Sequence, residues 1–253
     1  MKGLISQGLS CWRSLLGAVI FYTCIPLPSH WKLEFERIAR WAPLIGVGIG
    51  GLLGVVDRGL AAVEMPLGMR SAVEIALWVA LTGGLHLDGA MDAADGLAVG
   101  DPQRRLAVMR DSHTGAFGAI ALVLLLLLKF AALSELHVDR GWGLAIAAGW
   151  GRWGQVAAIA LYPYLRTEGK GAFHKTALKP PQDVLLGFFV LLGLSRWQFI
   201  VCGQGGEMVI VGSAIALLVG FWFYRQLGGH TGDTYGAVVE WTEAFLLCIF
   251  ATL

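Results

Sequence analysis

Apolar residues in this chain come in long, nearly unbroken blocks rather than alternating with polar ones. Seven blocks approach the roughly 20 residues that a helix needs to cross a bilayer: Trp41–Ala62, Leu67–Leu85, Ala116–Leu136, Trp142–Tyr164, Val184–Gly203, Glu207–Leu227 and Ala237–Leu253. An eighth, Arg13–Pro28, is shorter and closes on Pro26 and Pro28. It reads as a short span or as a re-entrant or interfacial helix. Lipid offers no partners for backbone N–H and C=O groups, so such blocks must be helical. A membrane β-barrel would alternate apolar and polar positions, whereas Leu122–Leu128 is continuous. The pattern predicts an all-α, polytopic membrane bundle of about seven or eight spans. It forms one domain over residues 1–253, with its polar motifs in the connecting loops.

Composition sharpens this. Apolar residues make up 56% of the 253 and charged residues 15%, against about 25% charged in an ordinary soluble domain. The net charge of +1 gives no field that would attract nucleic acid. Cys11, Cys24, Cys202 and Cys248 sit in or beside apolar runs and read as small hydrophobes. No cleavable leader is expected at the start. If the segment Leu85–Gly115 faces the cytoplasm, alternation puts Lys32, Arg37, Arg40, Arg104, Arg105, Arg110, Arg166, Lys170, Lys175, Lys179 and Arg225 on that side. Only Arg58, Arg70 and Arg140 lie opposite. The bias follows the positive-inside rule and predicts a plasma (inner) membrane protein whose motif loops face the cytoplasm. A homo-oligomer is compatible with all of this.

Gly46-Val47-Gly48-Ile49-Gly50-Gly51 matches a nucleotide-binding spacing but lies inside a span, away from any strand–helix unit. Gly46, Gly50 and Gly54 instead predict close helix packing.

The chemistry starts at Gly83-Gly84-Leu85-His86-Leu87-Asp88-Gly89-Ala90-Met91-Asp92-Ala93-Ala94-Asp95-Gly96. On a helix Asp88, Asp92 and Asp95 fall within roughly 60° of one another. Three carboxylates on one face repel unless a cation sits between them, and hard oxygen donors suit Mg²⁺ together with a substrate phosphate. The plain alternative is a polar segment of solvated aspartates between two membrane helices. Downstream stand Arg104, Arg105, Arg110 and Asp111, then Ser112-His113-Thr114-Gly115-Ala116-Phe117-Gly118-Ala119. Arginines beside such a site are phosphate ligands or interfacial anchors. Gly229-His230-Thr231-Gly232-Asp233-Thr234-Tyr235-Gly236-Ala237 echoes the second run, as a small repeat or as two similar helix entries. His230 and Asp233 would then add polar groups to the site. Lys170 and Lys175 read as solvated loop lysines rather than as cations that attract an anionic nucleotide. Arg152 is a charge in mid-span, within reach of Glu240 and Glu243 on the last helix. Glu74, Lys129 and Arg196 share a depth and predict one buried network.

The run His86-Leu87-Asp88-Gly89-x-x-Asp92-x-x-Asp95-Gly96 resembles that of the cobalamin synthase family, the adenosylcobinamide-GDP ribazoletransferases of vitamin B12 assembly. The likeness continues through Phe21-Tyr-Thr-Cys-Ile-Pro26-Leu-Pro28, Ala42-Pro43-Leu44-Ile45-Gly46, Met109-Arg110-Asp111-Ser112, Tyr162-Pro163-Tyr164 and Gly228–Ala237. Arg110 stands where the family pattern has Lys. The resemblance implies an integral membrane transferase that joins adenosylcobinamide-GDP to α-ribazole, or its 5′-phosphate, and releases GMP, with Mg²⁺. It implies that Asp88, Asp92 and Asp95 hold the metal. Arg110 and Arg105 would clamp the pyrophosphate, His86 would orient a ligand, and Asp95, Asp111 or His113 would act as base. Two rivals use similar residues. A CDP-alcohol phosphotransferase would need an Asp-Gly-x-x-Ala-Arg start, which is absent. An ion-coupled transporter would place the carboxylates near the bilayer midplane.

Overall fold

A computed structural model describes residues 2–137, 140–202 and 207–252, with side chains from Gly8 onward except Lys170 and Cys202. The expectations for Cys202 and for the Lys170 side chain thus lie outside the described residues. Each of the eight apolar blocks is a helix: α1 (Lys2–Tyr22), α2 (Ala42–Ala62), α3 (Leu67–Thr82), α6 (Ala116–Glu135), α7 (Arg140–Leu161), α9 (Gln182–Cys202), α10 (Met208–Leu227) and α11 (Gly232–Phe250). Three shorter α-helices, α4 (Leu85–Ala98), α5 (Pro102–Val108) and α8 (Lys170–Ala177), and a 3₁₀ turn at Ile38–Trp41 join them. Among the described residues the one extended pairing is an isolated bridge between Tyr164 and His230.

The centre of the bundle is α7, buried at every position from Gly143 to Ile159. Around it stand α2, α9, α10 and α11, and α11 in turn packs on α4, α6 and α10. Gly46, Gly50 and Gly54 form the expected stripe. A β-carbon at any of them would run into the α7 main chain at Ala148, Leu144 or Gly141. Four helical stretches are long and apolar enough to cross a membrane: Ile38–Ala62, Ala116–Glu135, Gln182–Val201 and Met208–Leu227. They leave an apolar outer surface, including Val123 and Leu127, Phe189 and Ile200, and Ile210 and Leu218. A broad apolar outer surface of this kind is what a membrane helical bundle presents.

Charges inside the bundle are paired, but not as the depth count predicted. Lys129 bonds Glu240 at 2.7 Å and Glu243 at 2.6 Å. Glu243 also takes Arg152 at 2.5 Å, as expected for that helix. Glu74 belongs to a separate cluster with Arg140, Asp57 and Arg70. Arg196 is exposed and lies over the Phe199 ring. The single Glu74–Lys129–Arg196 network is therefore wrong. Equal depth places residues at one level but says nothing about which face of the bundle they occupy.

Two features position the site. First, the acidic run is a helix packed on α11 and α6 rather than a loop. Gly83 and Gly84 turn the chain into it at φ 61° and 68°, left-handed values that a side chain would resist. Second, the chain leaving α7 is strapped to the entry of α11. Leu165 N–H donates to His230 O and His230 N–H to Pro163 O, each at 2.8 Å. Lys175 supports the strap by donating to the carbonyls of Ile159, Ala160 and Tyr162. It caps the end of α7, where a cation is favoured, and is not the solvated lysine expected.

Candidate active site

The helix α4 has two faces. Leu87, Ala90 and Ala93 point into the bundle and are buried. The opposite face carries Asp88, Asp92 and Asp95, at the predicted spacing. The two echoing segments hold this helix from either side. Gly118 of α6 approaches so closely that a β-carbon would strike the Asp95 carboxylate, and one at Gly236 of α11 would strike the His86 main chain. The repeated His-Thr-Gly…Gly-Ala pattern is thus two helix entries pressed on a common partner.

The four acidic residues near α4 differ in what holds them. Both Asp95 oxygens are engaged, accepting from Gly115 N–H at 2.7 Å and Gly118 N–H at 2.8 Å. Asp95 therefore caps α6, satisfying donors that a helix start leaves free. Asp233, in the first turn of α11, pairs with Arg166 at 2.7 Å and accepts from the Thr231 hydroxyl at 3.3 Å. Burial raises the Asp233 pKa while Arg166 opposes the rise. Asp92 is pushed up to about 6, first by burial and then by the charges of Asp88 and Asp233, with Arg166 again opposing. Asp88, Asp92 and Asp233 thus share one local field, which favours a cation.

Among the described residues no three His, Cys, Asp or Glu side chains are gathered tightly enough to hold a metal by themselves. Mg²⁺ usually takes one or two carboxylate oxygens together with waters and substrate phosphates, and carboxylates are the donors present on this face of α4 and at the start of α11. The donor chemistry fits, and Asp88, Asp92 and Asp233 are the side chains that would hold the ion.

A cavity of about 270 Å³ opens beside this cluster. One part of its wall is Asp88, Asp233 and Arg166, with Gly89, Gly169, Gly171 and Gly232 bringing the main chain close. The other part is Phe21, His86, Gln155, His174 and Tyr235. Burial, with Arg152 and Lys129 nearby, holds the His86 pKa well below its usual range. Burial alone brings His174 down to about 4. A larger groove of about 710 Å³ on the other side of α4 is lined by Phe117, Trp222, Trp241 and Phe245 and offers no charged group.

Of the expected site residues, His86, Asp88 and Asp233 line the cavity, and Asp92 shares their field. His230 lies behind it, fully buried, bonded to Thr234 Oγ1 and Gly220 O. Arg105 holds the carbonyls of Val99 and Gln226, tying the ends of α4 and α10 together. Arg110 is exposed on the turn before α6. Asp111 and His113 pair on the same turn at 2.6 Å. The hydrogen bond lowers the Asp111 pKa and raises that of His113. Sequence reasoning gave no role to Arg166, Gln155 or His174. Only Arg166 left a signal, as a cation two residues past the Tyr162-Pro163-Tyr164 block.

The family model for cobalamin-5-phosphate synthase matches residues 14–251. The chain belongs to this family. The matched range contains every residue of the site, from Phe21 to Tyr235. An adenosylcobinamide-GDP ribazoletransferase of Trichormus variabilis is 53% identical over 244 residues, 95% of this chain and 97% of the relative. One from a Synechocystis species is 49% identical, over 92% of both chains. No solved structure matches the chain.

Proposed function

We propose that this member of the cobalamin-5-phosphate synthase family is an adenosylcobinamide-GDP ribazoletransferase acting at the α4–α11 carboxylates. It joins adenosylcobinamide-GDP to α-ribazole, or to its 5′-phosphate, and releases GMP. The observation that carries the site is that Asp88 lines one cavity with Asp233 and its ion-pair partner Arg166, while Asp92 feels the charges of all three.

A ribose hydroxyl oxygen that is free in both α-ribazole and its 5′-phosphate forms a bond to the cobinamide-linked phosphorus, and the bond from that phosphorus to the bridging oxygen breaks. GMP leaves with the bridging oxygen, and the hydroxyl proton passes to a carboxylate of the cluster. Phosphoryl transfer of this kind is mostly positioning and charge neutralisation. Bound Mg²⁺ would neutralise pyrophosphate oxygens and polarise the phosphorus. Arg166 ion-pairs with Asp233 through Nη2 and lines the cavity, which puts a guanidinium where phosphate oxygens would be bound. Asp95 fixes α4 against α6 and so aims Asp88 and Asp92. Arg110, Asp111 and His113, on the exposed turn beyond Asp95, would meet the part of the substrate outside the cavity. The Lys and Arg bias supports a plasma-membrane location with this face toward the cytoplasm. Family membership sets aside the CDP-alcohol and transporter readings.

The test uses protein in nanodiscs with adenosylcobinamide-GDP, α-ribazole and Mg²⁺, following GMP and cobalamin by chromatography. Wild type makes both products, while EDTA or Asp88→Asn abolishes them. Turnover that survives EDTA and Asp88→Asn would overturn the metal site. No turnover by folded wild type would overturn the activity.

A further inference from the structure

The aromatic part of the cavity carries more unpaired polar atoms than a resting fold should tolerate. His86, His174, Gln155 and Tyr235 are 3%, 3%, 4% and 1% exposed. Both ring nitrogens of each histidine, Gln155 Oε1 and the Tyr235 hydroxyl have no hydrogen-bond partner. Buried polar groups are nearly always paired, and each exception calls for a cause. All four residues line the same cavity. The rings are also ordered. Tyr22 stacks between His86 and His174, with centroids 6.1 and 6.2 Å away, and Phe21 meets His174 edge-on at 4.8 Å. Aromatic walls with a few convergent donors and acceptors recognise a planar heterocycle by stacking and by its edge.

We infer that this chamber is a nucleoside subsite, in which the base lies against His86, His174 and Gln155 and the ribose lies toward Asp88, Asp233 and Arg166. The inference rests on the proposed transferase reading and assigns one substrate part to a place. At about 270 Å³ the cavity has nucleoside size; a corrinoid macrocycle is several times too large and must stay outside. Two nucleosides share this chemistry, the acceptor α-ribazole and the guanosine of the GDP arm. The carboxylate wall favours the uncharged one when no metal is present, so α-ribazole is the expected occupant.

The test measures α-ribazole and GMP binding to full-length protein in nanodiscs by calorimetry, each with EDTA and with Mg²⁺. It compares wild type with Gln155→Leu in α7 and His174→Phe in α8, two independent changes of similar volume. Wild type should bind α-ribazole in EDTA, and each variant should weaken that binding about tenfold, the equivalent of one lost hydrogen bond. Without ligand, Gln155→Leu should raise Tm, because it removes an orphaned polar atom; a merely structural glutamine would lower it. If GMP binding alone is weakened, the chamber is still a nucleoside subsite, with guanosine as occupant. If both ligands bind the variants as they bind wild type while wild type turns over, the subsite is wrong and the transferase reading stands. If wild type neither binds nor turns over, both fall.

Discussion

At the scale of single residues, the site depends on what burial does to groups that water would leave ordinary. His174 sits in a chamber with no charge partner, and its pKa falls to about 4 from 6.5. His230 falls to about 4 as well, and His86 lies well below its usual range. The sign follows from linkage: the unfolded chain takes the proton more readily, so stability is full above about pH 6.5 and drains as pH falls toward 4. Thermal unfolding in detergent at pH 7.5 and 4.5 should show this loss for wild type. His174→Phe should lose about 2 kcal/mol less than wild type over the same interval. Equal losses would mean that His174 is not kept neutral by its surroundings.

At the scale of elements, α4 is the working part. It is a short amphipathic helix held by the entries of two longer ones, α6 and α11. Its acidic spacing was legible in the sequence because helical periodicity relates residues within one segment. Asp95 as the cap of α6 was not, because that contact spans 20 residues across a turn. Arg166 was hidden for the same reason: it reaches Asp233 only through the strap from Pro163 to His230. The eight apolar blocks and the Gly46/Gly50/Gly54 stripe were readable because length and small-residue spacing are local properties. The grouping of Glu74 with Lys129 failed because it needed the rotation of one helix against another. The cap makes a definite prediction. Asp95→Ala leaves two donors at the start of α6 unpaired and should cost about 2–3 kcal/mol in thermal unfolding. Asp95→Asn, which keeps one acceptor, should cost less. A neutral Asp95→Ala would show that α6 does not need α4 for its first turn.

At the scale of the whole molecule, the bundle separates two tasks. Its outer helices present apolar side chains outward, while α7 and α11 carry paired charges beneath the site. Truncating Lys129 or Arg152 would strand carboxylates in the interior, which is far costlier than removing a matched pair; these residues hold α11 in place beneath the cluster. In the proposed function, α4, α11 and the strap after α7 bring one arginine to the carboxylates to receive a pyrophosphate. The most direct measurement is single-turnover GMP release from adenosylcobinamide-GDP and α-ribazole by wild type and Arg166→Ala, with and without added guanidinium. Release should fall about 100-fold or more in Arg166→Ala and recover in part with guanidinium. Release by Arg166→Ala within about threefold of wild type would contradict this.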